Sequence, residues 1–305
     1  MSGERSLRGR FLAPLQRRYA LLSRSRRVRL FLSNPLNVIG LGTVLVLTAT
    51  AVVGPIIAPH DPTSQELSNA LQGPSLVHPF GTDQLGRDIL SRMLYGARLS
   101  LGIAVAVTAI RLVLGTIIGL VAGYASGWID EALMRLVDIQ LAFPGIILAL
   151  VIAGVLGPSL RNVMIALAVV GWASYARVVR SSVLSTKEQE FVKAAQLMGV
   201  SRTQITVRHL LPNVASPVVV LATLNLGTVV LATAGLSFIG LGAQPPTAEW
   251  GSMLNSGRHH LRDAWWIANI PGLAIMLTVF GFNLLGDGLR DLLDPKHETN
   301  IEKPT

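Results

Sequence analysis

The sequence predicts an all-α integral membrane protein with about six transmembrane helices. Half of its 305 residues are hydrophobic and the mean hydropathy is +0.52. Charged residues make up only 14%, against about 25% in soluble globular domains. Several apolar stretches approach the roughly 20 residues that a helix needs to cross a hydrocarbon core. A soluble enzyme domain and an intrinsically disordered chain are both excluded by this composition.

Six apolar stretches are the predicted spans. The first contains no charged residue, and it is too long for a cleavable signal peptide, whose apolar region has about 7–15 residues. The third carries Pro144 near its start, and the fourth is short for a span. The predicted ranges are 36–58, 99–124, 139–160, 162–176, 213–235 and 265–285.

The distribution of basic residues predicts the orientation in the membrane. The net charge is +9, and 9 of the 26 Lys and Arg residues lie in the first 35 positions. With the N-terminus inside, the cytoplasmic segments hold 19 basic residues and the external segments hold 6. The positive-inside rule then places both termini in the cytoplasm. No nucleic-acid partner is predicted, because the basic tail borders a span; the tail could bind anionic membrane lipid, contact a partner or only set orientation.

The predicted organisation has four segments. A basic cytoplasmic tail is followed by the first span with its external loop, then by the core of spans, and finally by a cytoplasmic C-terminal tail. The core contains a cytoplasmic loop at 177–213. The four segments are 1–35, 36–98, 99–286 and 287–305.

The second span contains small residues and one charge. Gly115, Gly119 and Gly123 repeat every four residues, which makes a groove where another helix can approach closely. That helix could belong to the same chain or to another subunit. Arg111 is costly inside a membrane; it could line a pore or polar cavity, pair within the chain, or reach the surface if the span begins elsewhere.

The loop at 177–213 has its own helical pattern. Apolar residues share one side of a short helix at Phe191, Ala194, Ala195 and Met198. Gly199 follows where a helix cap needs a left-handed residue.

A second helix is predicted to follow that glycine. Ser201 and Gln204 have the spacing of a capping box at its start, and Pro212 is predicted to end it. The loop would therefore present two helices and a glycine turn at the cytoplasmic face.

This loop resembles the "EAA" loop of bacterial ABC importer permeases. The similarity rests on the pair Ala194–Ala195, on Gly199 and on the pair Leu211–Pro212. Lys193 stands where that motif usually has Glu, and His209 stands where Ile is usual. Both departures are similar to the dipeptide/oligopeptide/nickel branch of these permeases.

Two further stretches resemble the same branch. The sequence FGTD at 80–83, with GRD at 86–88 and SR at 91–92, is similar to its first external loop. The sequence LSFIGLG at 236–242, with QPP and EWG after it, is similar to the segment behind its fifth helix. The resemblance covers roughly residues 35 to 295 and is to permeases of the DppC/OppC type.

The resemblance implies an ABC type I importer permease fold with a cytoplasmic coupling helix at 190–199. It implies half of a translocation pore for peptides, in the plasma membrane of a bacterium or archaeon. Expected partners are a second, DppB/OppB-like permease, two ABC ATPase subunits and an extracytoplasmic substrate-binding protein. The residues that would contact the ATPase are Glu190, Phe191, Lys193, Ala194, Ala195, Met198, Gly199, Ser201, Leu211 and Pro212.

The chain itself is expected to catalyse nothing. It contains no G-x-x-x-x-G-K-[ST] phosphate-binding motif, so ATP and its magnesium are expected on the partner ATPases. No metal site is predicted either. The four histidines predicted to be external fit surface positions better than a ligand set, and a role in nickel transport stays open for them: His60, His78, His259 and His260.

Three alternatives remain beside peptide import. The same machine could import nickel or glutathione. An ion-coupled secondary carrier would need ionisable residues within the membrane, and Arg111 is its only candidate. A serine hydrolase is disfavoured because the stretch 235–240 lacks the G-x-S-x-G spacing.

Overall fold

The computed structural model describes residues 28–125 and 127–293. Most of the predicted basic N-terminal tail, and the C-terminal tail from residue 294, lie outside the described residues. Within them the chain is helical and has no β-strand. The α-helices are α1 (Pro35–Ile57), α2 (Ile89–Ala125), α3 (Gly127–Ala142), α4 (Gly145–Leu156), α5 (Leu160–Lys187), α6 (Glu190–Leu197), α7 (Arg202–Ile205), α8 (Leu211–Phe238), α9 (Trp250–Gly257) and α10 (Trp266–Leu293).

The number of spans agrees with the sequence. Among the residues that the structure describes, five helices are long and apolar enough to cross a membrane: α1, α2, α5, α8 with the turns before it, and α10. The bent pair α3 and α4 makes a sixth if it is counted as one span. The prediction of an all-α membrane protein with about six spans is confirmed.

The third predicted span, 139–160, is wrong as a single helix. Helix α3 ends at Ala142 and α4 begins at Gly145, and their axes differ by 87°. Pro144 explains the break, because its ring fixes φ, removes an N–H donor and disfavours the helical conformation at Phe143. Hydropathy cannot locate such a break, since both sides of it are apolar.

Three helices extend beyond their predicted spans. Helix α2 begins at Ile89 rather than 99, α5 continues past 176 to Lys187, and α10 continues past 285 to Leu293. A hydropathy window marks only the apolar part of a helix, whereas these helices continue through polar residues. The first part of the loop predicted at 177–213 is therefore the end of α5.

Helix α2 packs closely against α5 through its glycines. A Cβ atom at Gly119 would lie 2.6 Å from the Cβ of Val179, and one at Gly123 would lie 2.8 Å from the Cβ of Val183. Gly115 meets Tyr175 in the same way, so the three glycines form a groove that α5 fills. Of the two possibilities left open by the sequence, the described contact is the one within the chain.

The segment between α1 and α2 folds over the ends of the helices through buried polar contacts. Asp83 accepts a hydrogen bond from the Arg87 guanidinium at 2.7 Å, and both side chains are buried. Arg92 donates to the backbone oxygen of Pro62 at 3.0 Å. The indole of Trp266, on α10, donates to the backbone oxygen of Thr82 at 3.0 Å. These bonds fix residues 58–88 to α2 and α10.

Candidate functional site

The short helix α6 is closed at its C-terminal end by the geometry that the sequence predicted. Gly199 has φ +77°, a left-handed conformation that glycine adopts at little cost. Its N–H donates to Gln196 O at 3.0 Å, and the N–H of Val200 donates to Ala195 O at 3.1 Å. These two bonds form a Schellman motif, which satisfies carbonyls at the helix end. The predicted glycine cap is confirmed.

The chain re-enters a helix directly after that cap. The Ser201 hydroxyl accepts a hydrogen bond from the N–H of Gln204 at 3.3 Å, as expected for an N-cap. Helix α7 then passes through a π-helical turn, Thr206–Leu210, into α8. The loop is therefore two helices and a glycine turn, as predicted.

Pro212 does not end the second helix, and that prediction is wrong. It lies in the first turn of α8, where a proline is tolerated because an N–H there needs no intrahelical acceptor. The preceding π-helical turn accommodates the interrupted hydrogen-bond pattern. As a result the chain from Thr203 to Phe238 continues as one long helical segment.

Helix α6 is anchored by only two of its side chains. Val192 and Ala195 are buried, with exposed fractions of 0% and 4%. They join an apolar cluster built largely from α5 and α8, whose other buried members are Tyr175, Val179, Val183, Ile205, Leu210, Val214 and Val218. This packing holds α6 against α5 and α8.

The other apolar residues of α6 face outward. Leu197 and Met198 have exposed fractions of 90% and 77%, and Phe191 and Ala194 are also exposed. We call Phe191, Ala194, Leu197 and Met198 the outer patch. The sequence grouped Ala195 with this side, whereas the structure buries it. Leu197 was missed because it falls outside the predicted apolar periodicity, and only its exposure reveals it.

The remaining predicted coupling residues lie near the outer patch in the sequence. Nine of the ten predicted residues are exposed, and Ala195 is the buried one. All ten fall in the stretch from 190 to 212. Lys193 forms an ion pair with Glu188 at 2.9 Å, and this pair lowers the pKa of the Glu188 carboxyl. The rings of Phe191 and His209 lie 5.8 Å apart, linking α6 to the turn before α8.

Helix α5 is fixed to its neighbours near the loop. Asp130 of α3 receives two hydrogen bonds from the guanidinium of Arg180, at 2.5 and 2.6 Å. Lys187 donates to the backbone oxygen of Gly123 at 3.2 Å. Because bidentate pairs restrict geometry strongly, α2, α3 and α5 form one connected support for α6.

Arg111 of α2 contacts α5 in the interior of the bundle. It is buried, and its Nε donates to the backbone oxygen of Leu167 at 2.8 Å. Gly171 provides the room that its guanidinium occupies. The described contacts therefore place Arg111 between α2 and α5, where it pairs within the chain.

Another buried charged residue, Glu249, lies at the end of the helix bundle opposite α6. Glu249 is fully buried and caps α9, accepting hydrogen bonds from the N–H groups of Gly251 and Ser252 at 2.9 Å each. Burial raises the pKa of this carboxyl. The stretch EWG at 249–251 marked a family resemblance, and its structural role is this cap.

Comparison with known proteins identifies the family. Residues 115–298 match the family model described as "Binding-protein-dependent transport system inner membrane component". Residues 23–74 match the model described as "N-terminal TM domain of oligopeptide transport permease C".

Curated relatives cover most of the chain. It is 47% identical over 263 residues to the dipeptide transport system permease protein DppC of Alkalihalophilus pseudofirmus, covering 86% of each chain. It is 48% identical over 254 residues to the glutathione transport system permease protein GsiD of Escherichia coli O157:H7, covering 83% of this chain and 84% of the relative.

A solved structure supports the fold. The inward-facing MetNI methionine ABC transporter contains a chain that matches with a TM-score of 0.53 at 18% identity, over 67% of this chain and 96% of that one. With the family match and these relatives, the chain belongs to the binding-protein-dependent transport system inner membrane components, among the DppC/OppC-like permeases of ABC importers.

Proposed function

We propose that this protein is the permease subunit of an ATP-driven peptide importer and that the outer patch of α6 docks on an ATPase subunit. The observation that carries the proposal is the exposure of Leu197 and Met198 at the end of a helix that Val192 and Ala195 anchor to the bundle. An exposed apolar patch on an ordered helix is typical of a protein-binding site. Burying a side chain such as Leu or Met contributes about 1.5–3 kcal/mol.

The support beneath α6 is suited to transmitting motion. Val192 and Ala195 join it to the cluster of α5 and α8, and the pair Arg180–Asp130 ties α5 to α3. A displacement of α6 therefore moves helices that cross the membrane. ATP binding between the ATPases would bias two states of the permease through this contact, which is the requirement for coupling between distant sites.

The partners follow from this role. A second, DppB/OppB-like permease completes the pore, two ATPase subunits hold ATP and magnesium, and an extracytoplasmic binding protein delivers the substrate. The loop at 190–212 and both termini lie in the cytoplasm under this assignment. No described contact favours an ion-coupled carrier, since Arg111 is engaged within the α2–α5 pair.

Peptides are the proposed substrate class. The relatives with dipeptide and di/tripeptide transport in their names are 42–47% identical to this chain. The glutathione relatives, at 48%, point to the same chemistry, because glutathione is itself a peptide. Uptake of labelled dipeptide, competed by oligopeptide, by glutathione or by Ni²⁺, separates these substrates.

The docking proposal is tested by Leu197→Asp and Met198→Asp, with Thr203→Asp as the matched control on an exposed position of the same loop. We expect the first two variants to insert normally but to lose co-purification of the ATPases and peptide uptake. The control should retain both. Gly199→Arg should likewise abolish uptake and leave insertion intact. Normal uptake in the Leu197 and Met198 variants would refute the docking site.

A further inference from the structure

Two histidines and a carboxylate meet at the start of α2, far along the chain from the coupling loop. His60 follows α1, His78 belongs to the segment over the helix ends, and Asp88 directly precedes α2. One possible ligand atom of each residue lies within 4.8 Å of the others. The sequence treated His60 and His78 as separate surface residues, but His78 is buried and the fold brings the two together.

The distances show how the three side chains face one another. His78 Nδ1 lies 2.9 Å from Asp88 Oδ1, and His60 Nδ1 lies 3.7 Å from Asp88 Oδ2. The two imidazole rings are stacked at an angle of 34°, with centroids 4.8 Å apart. Both Nδ1 atoms are thus directed towards the same carboxylate.

His60 leaves a polar atom unsatisfied in this arrangement. Its Nδ1 is shielded from solvent and has no hydrogen-bond partner, although a buried polar atom normally has one. The histidine itself is well fixed, because its backbone N–H donates to the Ser91 hydroxyl at 3.0 Å. An orphaned nitrogen on an anchored residue, aimed at a buried carboxylate, is the arrangement that a cation would complete.

The carboxylate is anchored in the same way. Asp88 Oδ2 accepts hydrogen bonds from the backbone N–H and the hydroxyl of Ser91, at 2.8 and 2.7 Å. This bonding leaves Oδ1, on the side of His78, available as a ligand. Hydrogen bonds from a second layer of residues orient metal ligands and raise affinity, and Ser91 supplies two such bonds to the Asp88 carboxylate.

We propose that His60, His78 and Asp88 bind a divalent first-row transition metal, with zinc as the expected ion. Two imidazoles and one carboxylate suit zinc, nickel or cobalt, whereas magnesium and calcium prefer oxygen ligands. His60 is partly exposed, although its Nδ1 is shielded from solvent. The ion would join His60, which follows α1, to Asp88 at the start of α2. It would thereby restrain the segment between these two residues.

Small movements are enough to form the site. Zinc–nitrogen and zinc–oxygen distances of about 2.0–2.2 Å place neighbouring ligand atoms of a tetrahedral site about 3.4 Å apart. The candidate ligand atoms of the three residues already lie within 4.8 Å of one another. His78 must turn away from its direct hydrogen bond with Asp88, and its ring must carry its proton on Nε2.

The test uses the complete transporter purified with a streptavidin-binding tag, since a polyhistidine tag would bind metal itself. The complex is stripped with EDTA, loaded with Zn²⁺ or Co²⁺, dialysed and assayed for metal per chain. Cobalt adds visible absorption bands that report nitrogen and oxygen coordination. The variants are His60→Ala and His78→Ala, and His259→Ala is the control at another exposed histidine.

We expect one ion per wild-type chain, with affinity at least about tenfold lower in the His60 and His78 variants and unchanged in the His259 variant. His60→Ala is the decisive variant, because that side chain makes no hydrogen bond that folding would miss. Metal should also slow hydrogen exchange in residues 58–88 of the wild type and of the His259 variant, but not of the His60 variant. A wild type that retains no metal, or a His60 variant that retains as much, would overturn the site whether or not the transporter imports peptides.

Discussion

Replacing Gly119 with alanine should loosen the contact between α2 and α5. Gly119 is the middle glycine of the groove, and its substitution adds a single methyl group facing α5. The same substitution at Gly102, on the same helix, meets nothing within 4 Å. The two variants therefore make the same chemical change, and only one of them lies in the helix contact.

The structure sets the size of the effect. An added Cβ at Gly119 would lie 2.5 Å from Ala176 O and 2.6 Å from Val179 Cβ, against about 3.5–4.0 Å for carbon atoms in contact. The helices must separate by about 1 Å, and overpacking of this kind costs about 1–3 kcal/mol. Gly102→Ala should instead stabilise by about 0.5–1 kcal/mol, because alanine loses less conformational freedom in a helix.

The assay is thermal unfolding of the purified complex, followed by tryptophan fluorescence and paired with peptide uptake. We expect Gly119→Ala to unfold at a lower temperature than the wild type and to slow uptake, and Gly102→Ala to do neither. If the two glycine variants unfolded at the same temperature, the close packing of α2 on α5 would be refuted.

Substitutions at three other positions test separate features by unfolding measurements. Gly199→Ala should cost about 1–2 kcal/mol, because its φ of +77° is strained for other residues although space is open; Gly199→Asn should cost less, and equal costs would contradict the cap. Trp266→Phe should cost about 1–3 kcal/mol, since it leaves the buried oxygen of Thr82 without its donor, and an unchanged unfolding temperature would argue against that bond. For Glu249, the folded pKa is raised above its ordinary value of 4.5 by burial, so the folded state binds the proton more tightly than the unfolded state. The free energy of unfolding of the wild type relative to Glu249→Gln should therefore fall as pH rises from about 4.5 through the raised pKa. A wild type that instead became less stable relative to this variant as pH fell would refute the shift.

Local sequence patterns predicted the coupling loop well. The turn at Gly199 and the cap at Ser201 depend on residues within four positions of each other, so the sequence alone contains their chemistry. Pro212 shows the limit of such rules. Whether a proline ends a helix or lies in its first turn depends on the backbone before it, and before Pro212 that backbone is a π-helical turn.

The contacts over the helix ends could not be predicted from one sequence. Trp266 and Thr82 are 184 positions apart, and Arg92 and Pro62 are 30 apart. No periodicity links such residues, although the resemblance had already marked several of them. The cluster at His60 was missed for a similar reason, since His60, His78 and Asp88 are 18 and 10 positions apart in the segment 58–88.

The gap between α3 and α4 has a consequence for what surrounds the protein. Gln140, just before the gap, donates to the backbone oxygen of Val170 at 2.8 Å, ten residues after α5 begins. At 1.5 Å per residue this contact lies about 15 Å along α5 from its first residue. Residues 143 and 144 are exposed there. Peptide groups outside a helix cannot face hydrocarbon without losing hydrogen bonds worth several kcal/mol. If α3 and α4 cross a membrane as one span, the gap between them must therefore face protein or water rather than lipid.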